Sequence, residues 1–172
     1  MGRRDACPSP SYARSTPHSL IEVRPMAVEL TEEFQTAINN ALADACPIMW
    51  TSAGADGQPS LAFFGTTQVY SDHEIAIWMR NTNRGFLARI EDNPKVAMMY
   101  RNGPARLSFQ IHGEARRVDD PAVKKHVYEH SPEVEQKTDP DRLGTAVIVE
   151  ISRVIQRGVV IMARDGDTGT AD

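Results

Sequence analysis

The residues with most chemistry to offer lie in one run, Ile77-Trp78-Met79-Arg80-Asn81-Thr82-Asn83-Arg84-Gly85-Phe86. An apolar strand ends there in a polar turn carrying two arginines, and a helix begins directly after it. The first amides of a helix have no intrahelical acceptor and sit at the positive end of its dipole. Joined by two guanidinium groups and a flexible Gly85, they make a cradle for an anion. The same residues also read as surface arginines flanking an ordinary loop, and the run alone leaves both readings open.

Other chemistries find little support. The sequence holds no Gly-x-Ser-x-Gly elbow, no phosphate loop and no His-Glu-x-x-His pair. Among its five histidines, His126 and His130 stand four apart on an expected helix. That spacing can bring two imidazoles to one metal, but a solvated helix face has the same spacing, and no metal site is expected. His73 falls in a turn and His112 in a strand, neither with an evident carboxylate or nucleophile beside it. The two cysteines, Cys7 and Cys46, form neither a disulfide framework nor a zinc cluster, and neither sits in a motif that would activate a thiol. No catalytic residue is identified on this basis.

The elements that must hold the arginine turn are legible from periodicity. Residues 1–25 are rich in Pro, Ser and Arg without an apolar period, and are expected to be a disordered extension, with Met26 a possible natural start. The folded domain is expected over 26–162 and a polar tail over 163–172. Thr31 caps a helix whose buried face is Phe34, Ile38, Ala41, Leu42 and Ala45, stopped by Cys46-Pro47. Strands are expected at 48–53 and along 59–70, the latter broken at Gly65. In residues 75–79, Ile75, Ile77 and Met79 alternate with Ala76 and Trp78, which predicts a strand with two distinguishable faces. A short helix over 84–92 ends at Asn93-Pro94. Strands follow at 95–101 and 107–118, then a helix opened by Asp119-Asp120-Pro121, then strands at 145–151 and 154–162. Hairpin-like turns between so many strands predict an antiparallel sheet closed toward a barrel, mainly β with flanking helices.

The run from Arg84 to Val96, with Asn93-Pro94 before a Val-led strand, resembles the helix-and-strand signature of the pyridoxamine 5'-phosphate oxidase-like flavin proteins. Ser108-Phe109-Gln110-Ile111-His112-Gly113-Glu114-Ala115 resembles the family's next strand with its Gly-x-Ala ending, and Gly57-Gln58-Pro59 before a long strand also fits. The resemblance covers roughly residues 30–160. It implies a six-stranded antiparallel split β-barrel of the FMN-binding type and a homodimer with the cofactor in a cleft at its interface. It also implies a set of cofactor contacts. Arg80 and Arg84 would hold the phosphate, with Met79, Asn81 and Gly85 around them. Thr66, Thr67 and Gln68 would line the ribityl chain and ring edge, and Ser108 and Gln110 would approach from the later strand. Gly85-Phe86 stands where the family carries a basic pair, which leaves Arg84 displaced from the pattern. The family's C-terminal Arg-x-His-type substrate segment has no counterpart in Met162-Ala163-Arg164-Asp165-Gly166, which argues against oxidation of pyridoxamine phosphate itself.

Composition sets the remaining bounds. The chain has 172 residues, 41% hydrophobic and 24% charged, with a net charge of −4. That suits one domain, offers no basic footprint for nucleic acid, and holds no apolar run long enough for a bilayer. A cytoplasmic setting is expected. The expected function is FMN-dependent oxidoreduction of a small-molecule substrate. The alternatives are a deazaflavin-coenzyme-dependent reductase on the same fold and a flavin- or haem-carrying module without turnover. Apolar residues Phe63, Phe64, Met98 and Met99 are the expected excess that a dimer interface would bury.

Overall fold

A computed structural model describes residues 28–83 and 85–164. The expected extension, the alternative start at Met26, most of the expected tail, and Arg84 lie outside the described residues. Helix α1 (Glu32–Asn40) starts at Thr31, whose hydroxyl accepts from the Phe34 amide, and it buries Phe34, Ala37 and Ile38. The sequence suggested helix as far as Ala45, but regular helix stops at Asn40. Asparagine is a weak helix former, and Asn39 instead accepts a 2.8 Å hydrogen bond from the Val69 amide. Ala45 then turns the chain at φ 57° into β1.

The strands are β1 (Ile48–Ala53), β2 (Pro59–Phe64), β3 (Gln68–Val69), β4 (Glu74–Met79), β5 (Lys95–Asn102), β6 (Leu107–Val118), β7 (Thr145–Gln156) and β8 (Val159–Ala163). Helices α2 (Gly85–Asp92), α3 (Pro121–Glu129) and α4 (Glu133–Gln136) lie between them. Every described pairing is antiparallel, in the order β2-β1-β5-β6-β7-β4-β3, with β8 on β7. This is the antiparallel split barrel that the sequence implies, with eight strands instead of six: β3 adds two residues at one edge, and β8 folds back as a hairpin.

The second hairpin corrects the reading of the C-terminal half. A break was expected near residues 152–153, but β7 runs unbroken for 12 residues and the turn falls at Arg157-Gly158. Both turn residues have positive φ, 51° and 78°, the conformation that a two-residue hairpin turn of the mirror-image type requires. β8 then extends through Ala163, the first residue of the expected tail. The long strands β6 and β7 bend at a bulge beside His112 and Gly113. Glycine is needed there, since a Cβ on Gly113 would lie 2.5 Å from the Glu150 carbonyl oxygen.

Two apolar layers result. Inside the barrel, Phe34, Ile38, Trp50, Ile75, Ile77, Met98, Tyr100, Phe109 and Val149 pack with Phe86, Leu87 and Ile90 of α2. Trp50 meets Phe64 and Phe86 edge-on, at 5.6 and 6.1 Å between ring centroids. On the opposite face of β4 and β7, Ala76, Trp78, Ala146 and Ile148 pack under Val127 and Tyr128 of α3. The alternation along β4 therefore separates two buried faces, not a buried one from a wet one. Across the outer surface, Met49 pairs with Phe63 on one side and Met99 on the other, and Met99 with Gln110. Phe63 is 65% exposed and Met99 38%, whereas Met98 is in the core and Phe64 is half-buried against Trp50.

Candidate functional site

β4 delivers its last residues to the rim of a hollow of about 440 Å³. Its floor and walls come from Thr66, Trp78, Met79 and Arg80, the turn residues Asn81, Thr82 and Asn83, Glu135 and Thr138 after α3, and the apolar rim of Phe63, Phe64 and Leu143. Two anchors fix β4 at this point. Thr66 is buried, and its hydroxyl accepts from the Trp78 amide at 3.1 Å and donates to the Trp78 carbonyl at 3.0 Å. The Trp78 indole donates to Asp139 Oδ2 at 2.8 Å.

Asp139 organises the facing wall. Its carboxylate also accepts from the amides of Leu143 and Gly144, both at 3.0 Å. Burial alone would push this carboxyl up. The hydrogen bonds from Trp78, Leu143 and Gly144, with the Arg80 charge, outweigh that and hold it below its usual range. Tyr128 Oη lies 3.1 Å from the carbonyls of both Gln136 and Asp139, tying the segment to α3. Gly144 must be glycine for the wall to close, because a Cβ there would sit 2.7 Å from the Met79 carbonyl oxygen and from the Trp78 ring.

Arg80 is the cation of this hollow. Its Nη1 donates to Thr138 Oγ1 at 2.5 Å, and its Nη2 lies 3.3 Å from Glu135 Oε2. With its side chain 45% exposed, the guanidinium faces both these partners and the open space. Arg80 and Glu135 are the titratable groups among the described lining residues. The arrangement offers an apolar rim, a polar turn and one half-exposed arginine paired with Glu135, without a nucleophile beside a base. It suits binding a flat, partly apolar molecule with an anionic end better than it suits hydrolysis.

The other residues singled out in the sequence are distributed differently. Thr66, Met79, Arg80 and Asn81 meet at the hollow just described. Thr67 donates to the Phe64 carbonyl and accepts from the Trp50 indole at 3.1 Å, beneath the surface. Gln68 donates to the Val127 carbonyl at 2.9 Å and to Ser131 Oγ at 3.1 Å, while its Oε1 is buried without a partner among the described residues. Gly85 opens α2 beside Arg89, whose guanidinium donates to Ser52 at 2.9 Å. Ser108 and Gln110 border a separate hollow on the outer face with Met99. Arg84 lies outside the described residues. Sequence reasoning missed Glu135, Thr138 and Asp139. The available signal for Asp139 was Trp78, a buried indole that needs an acceptor.

His126 and His130 stack at 4.0 Å between centroids, and His130 Nδ1 lies 2.8 Å from the His126 carbonyl. Among the described residues, no group of three or more His, Cys, Asp or Glu side chains is placed to hold a metal ion. Nor is any helix among them long and apolar enough to cross a membrane.

Comparison with known proteins bears on this arrangement. The family described as pyridoxamine 5'-phosphate oxidase matches residues 30–156. No curated protein matches. Among solved structures, HupZ of Group A Streptococcus is 21% identical with a TM-score of 0.59, covering 80% of this chain and 99% of its own. An FMN-binding protein from Syntrophomonas wolfei subsp. wolfei gives 11% identity and a TM-score of 0.60, over 74% of this chain and 86% of its own. A structure named F420 reductase gives 16% and 0.55, over 73% and 98%. At these identities the likeness is one of fold.

Proposed function

This chain belongs to the pyridoxamine 5'-phosphate oxidase family, and we propose that it binds flavin mononucleotide and uses it to oxidise or reduce a small molecule in the cytoplasm. The observation that carries the reading is the hollow at the end of β4. It sets an apolar rim of Phe63 and Leu143 against a polar turn and the half-exposed charge of Arg80. An isoalloxazine ring and a phosphate need those two environments in one cleft. Arg80 and Arg84 would hold the phosphate, with the amides that open α2 at Gly85 supplementing them. Met79, Asn81 and Thr66 would lie along the rest of the cofactor. Thr67 and Gln68, whose side chains brace Trp50 and α3, would shape the wall from behind.

A two-fold dimer belongs to this proposal. The row Phe63, Met49, Met99 is an outward apolar surface that a second copy would cover. Ser108 and Gln110 of the partner subunit would then complete the cleft. When bound, the flavin supplies the hydride or electron transfer. The chain's own groups orient the ring, neutralise the phosphate and, with Phe63 and Leu143, exclude water. A deazaflavin coenzyme is the second reading, because the hollow is open beside the exposed Asn81, Thr82 and Asn83 and a longer anionic tail has room to leave there.

The absorption spectrum of freshly purified protein, followed by titration of the stripped protein with FMN, tests the proposal. Flavin bands and saturable FMN binding are expected. Failure to bind FMN, riboflavin or a deazaflavin would overturn it. Bound flavin that no nicotinamide donor reduces would leave a carrier without turnover and overturn the enzymatic part.

A further inference from the structure

The second hollow, of about 470 Å³, lies where the tips of two hairpins meet on the outer face. The β5–β6 turn contributes Arg106, the β7–β8 turn contributes Arg157, and Arg101 stands at the end of β5 opposite Ser108. Its described lining contains these three arginines and no acidic side chain. Arg101 and Arg106 make no ion pair among the described residues. Arg157 donates to the Arg106 carbonyl at 3.1 Å, a contact that leaves its charge uncompensated. Three arginines thus border one hollow whose described lining holds no counter-charge, in a chain whose net charge is −4.

The backbone makes the same point independently. Arg106 and Arg157 both adopt left-handed conformations, at φ 55° and 51°. Glycine holds such a conformation freely and a long side chain holds it at a cost, so arginine at both tips is unfavourable for the turns themselves. Ser108 and Gln110 border the same space; the Ser108 hydroxyl can donate to an oxyanion, while the Gln110 amide nitrogen lies 2.9 Å from His112 Nε2 and has a second N–H to offer.

We propose that this hollow is an oxyanion site, recognising the phosphate or carboxylate of a small-molecule ligand through Arg101, Arg106 and Arg157. Its affinity for an anion stands on these residues alone. Its assignment to the substrate rests on the flavin reading, with which it shares Ser108 and Gln110.

The test is calorimetric titration of the full chain, free of flavin and at low salt, with pyrophosphate. Wild type should bind. Arg106→Gly and Arg157→Gly should each weaken binding about tenfold or more, as expected for loss of a charge-assisted contact. Because glycine suits both turns, these variants should keep or raise the melting midpoint, so the loss cannot be ascribed to unfolding. Absence of binding in wild type, or undiminished binding in the triple variant Arg101→Gln, Arg106→Gly, Arg157→Gly, overturns the proposal. A parallel titration with FMN and riboflavin identifies the source of the anion. If Arg106→Gly keeps the wild-type preference for FMN, the site serves a separate anionic ligand. If the preference disappears, the site holds the phosphate of the flavin itself, and the substrate assignment is overturned while the anion site stands.

Discussion

Replacing Asp139 by alanine should unfold the wall of the candidate site before it alters anything else. The carboxylate is 8% exposed and accepts from the Trp78 indole at 2.8 Å and from the Leu143 and Gly144 amides at 3.0 Å. Trp78 and Gly144 are buried, while Leu143 is 76% exposed and its amide is nearest to water. Each buried donor left without an acceptor costs about 1–3 kcal/mol, so two give roughly 2–6, and partial relaxation brings the expectation to about 3 kcal/mol. For a chain of this size that lowers the melting midpoint by about 6–12 °C in a thermal scan. Asp139→Asn, turned so that its one oxygen serves Trp78 and Gly144, should cost only about 1 kcal/mol. The carboxyl titrates lower in the folded chain than in the unfolded one. Its contribution is therefore complete above the ordinary carboxylate range near pH 4 and is lost as pH falls through the folded value. The stability gap between wild type and Asp139→Asn should close in acid. An alanine variant melting within about 1 °C of wild type, or a gap that widens below pH 4, would refute the account of this wall.

Three further outcomes are expected. Arg84→Ala should weaken FMN binding about tenfold to a hundredfold in a fluorescence titration while leaving riboflavin affinity unchanged, since only the former carries the phosphate. Gly144→Ala should lower stability by about 1–3 kcal/mol, because the new methyl meets the Met79 carbonyl and the Trp78 ring at 2.7 Å; denaturant unfolding measures it. Phe63→Glu, at a position 65% exposed in the single chain, should leave the fold intact and yield a monomer by light scattering, with flavin lost in proportion.

Much of this fold is legible in the sequence where two physical signals agree. Residues 75–79 alternate strictly, and β4 follows (Glu74–Met79). Asp120 before Pro121 marks a capped start, and the Asp120 carboxylate does accept from the Ala122 and Val123 amides at 2.8 and 3.0 Å. What stayed hidden has equally definite causes. Helix α4 is a single turn, too short for any period to show. Arg-Gly lacks the Asn-Gly signature of a tight hairpin, so the end of β7 was misplaced. At the site, Arg80 and Asn81 could be read because a strand ending in a polar turn is a local pattern. Asp139 and Glu135 could not, since they reach the hollow from more than fifty residues away through packing of α3 and α4. Thr67 and Gln68 illustrate the converse: a polar residue near a strand can serve a ligand or brace a buried neighbour, and one sequence reads the same in both cases.

β7 pairs with β6 along most of its length, and on its other edge first with β4 and then with β8. It thus acts as a strut, with Leu143 of the first hollow just before it and Ile155 of the second near its far end. Twelve residues at roughly 3.3 Å each give the strut an extended length of about 40 Å. Yet the rims of the two hollows also approach within two strand spacings, about 10 Å, where Met49 pairs with Phe63 on one side and Met99 on the other. In the proposed dimer, where Ser108 and Gln110 of the partner subunit complete the cleft, each ligand would take the first hollow from one copy and the second from the other, and the two-fold axis would create two such composite clefts. In a mixed pair, one copy damaged at Arg80 and the other at Arg106, one cleft collects both lesions and the other is assembled entirely from intact halves. Two inactive proteins of this kind would complement each other by subunit exchange, to half the wild-type number of working clefts per mixed dimer.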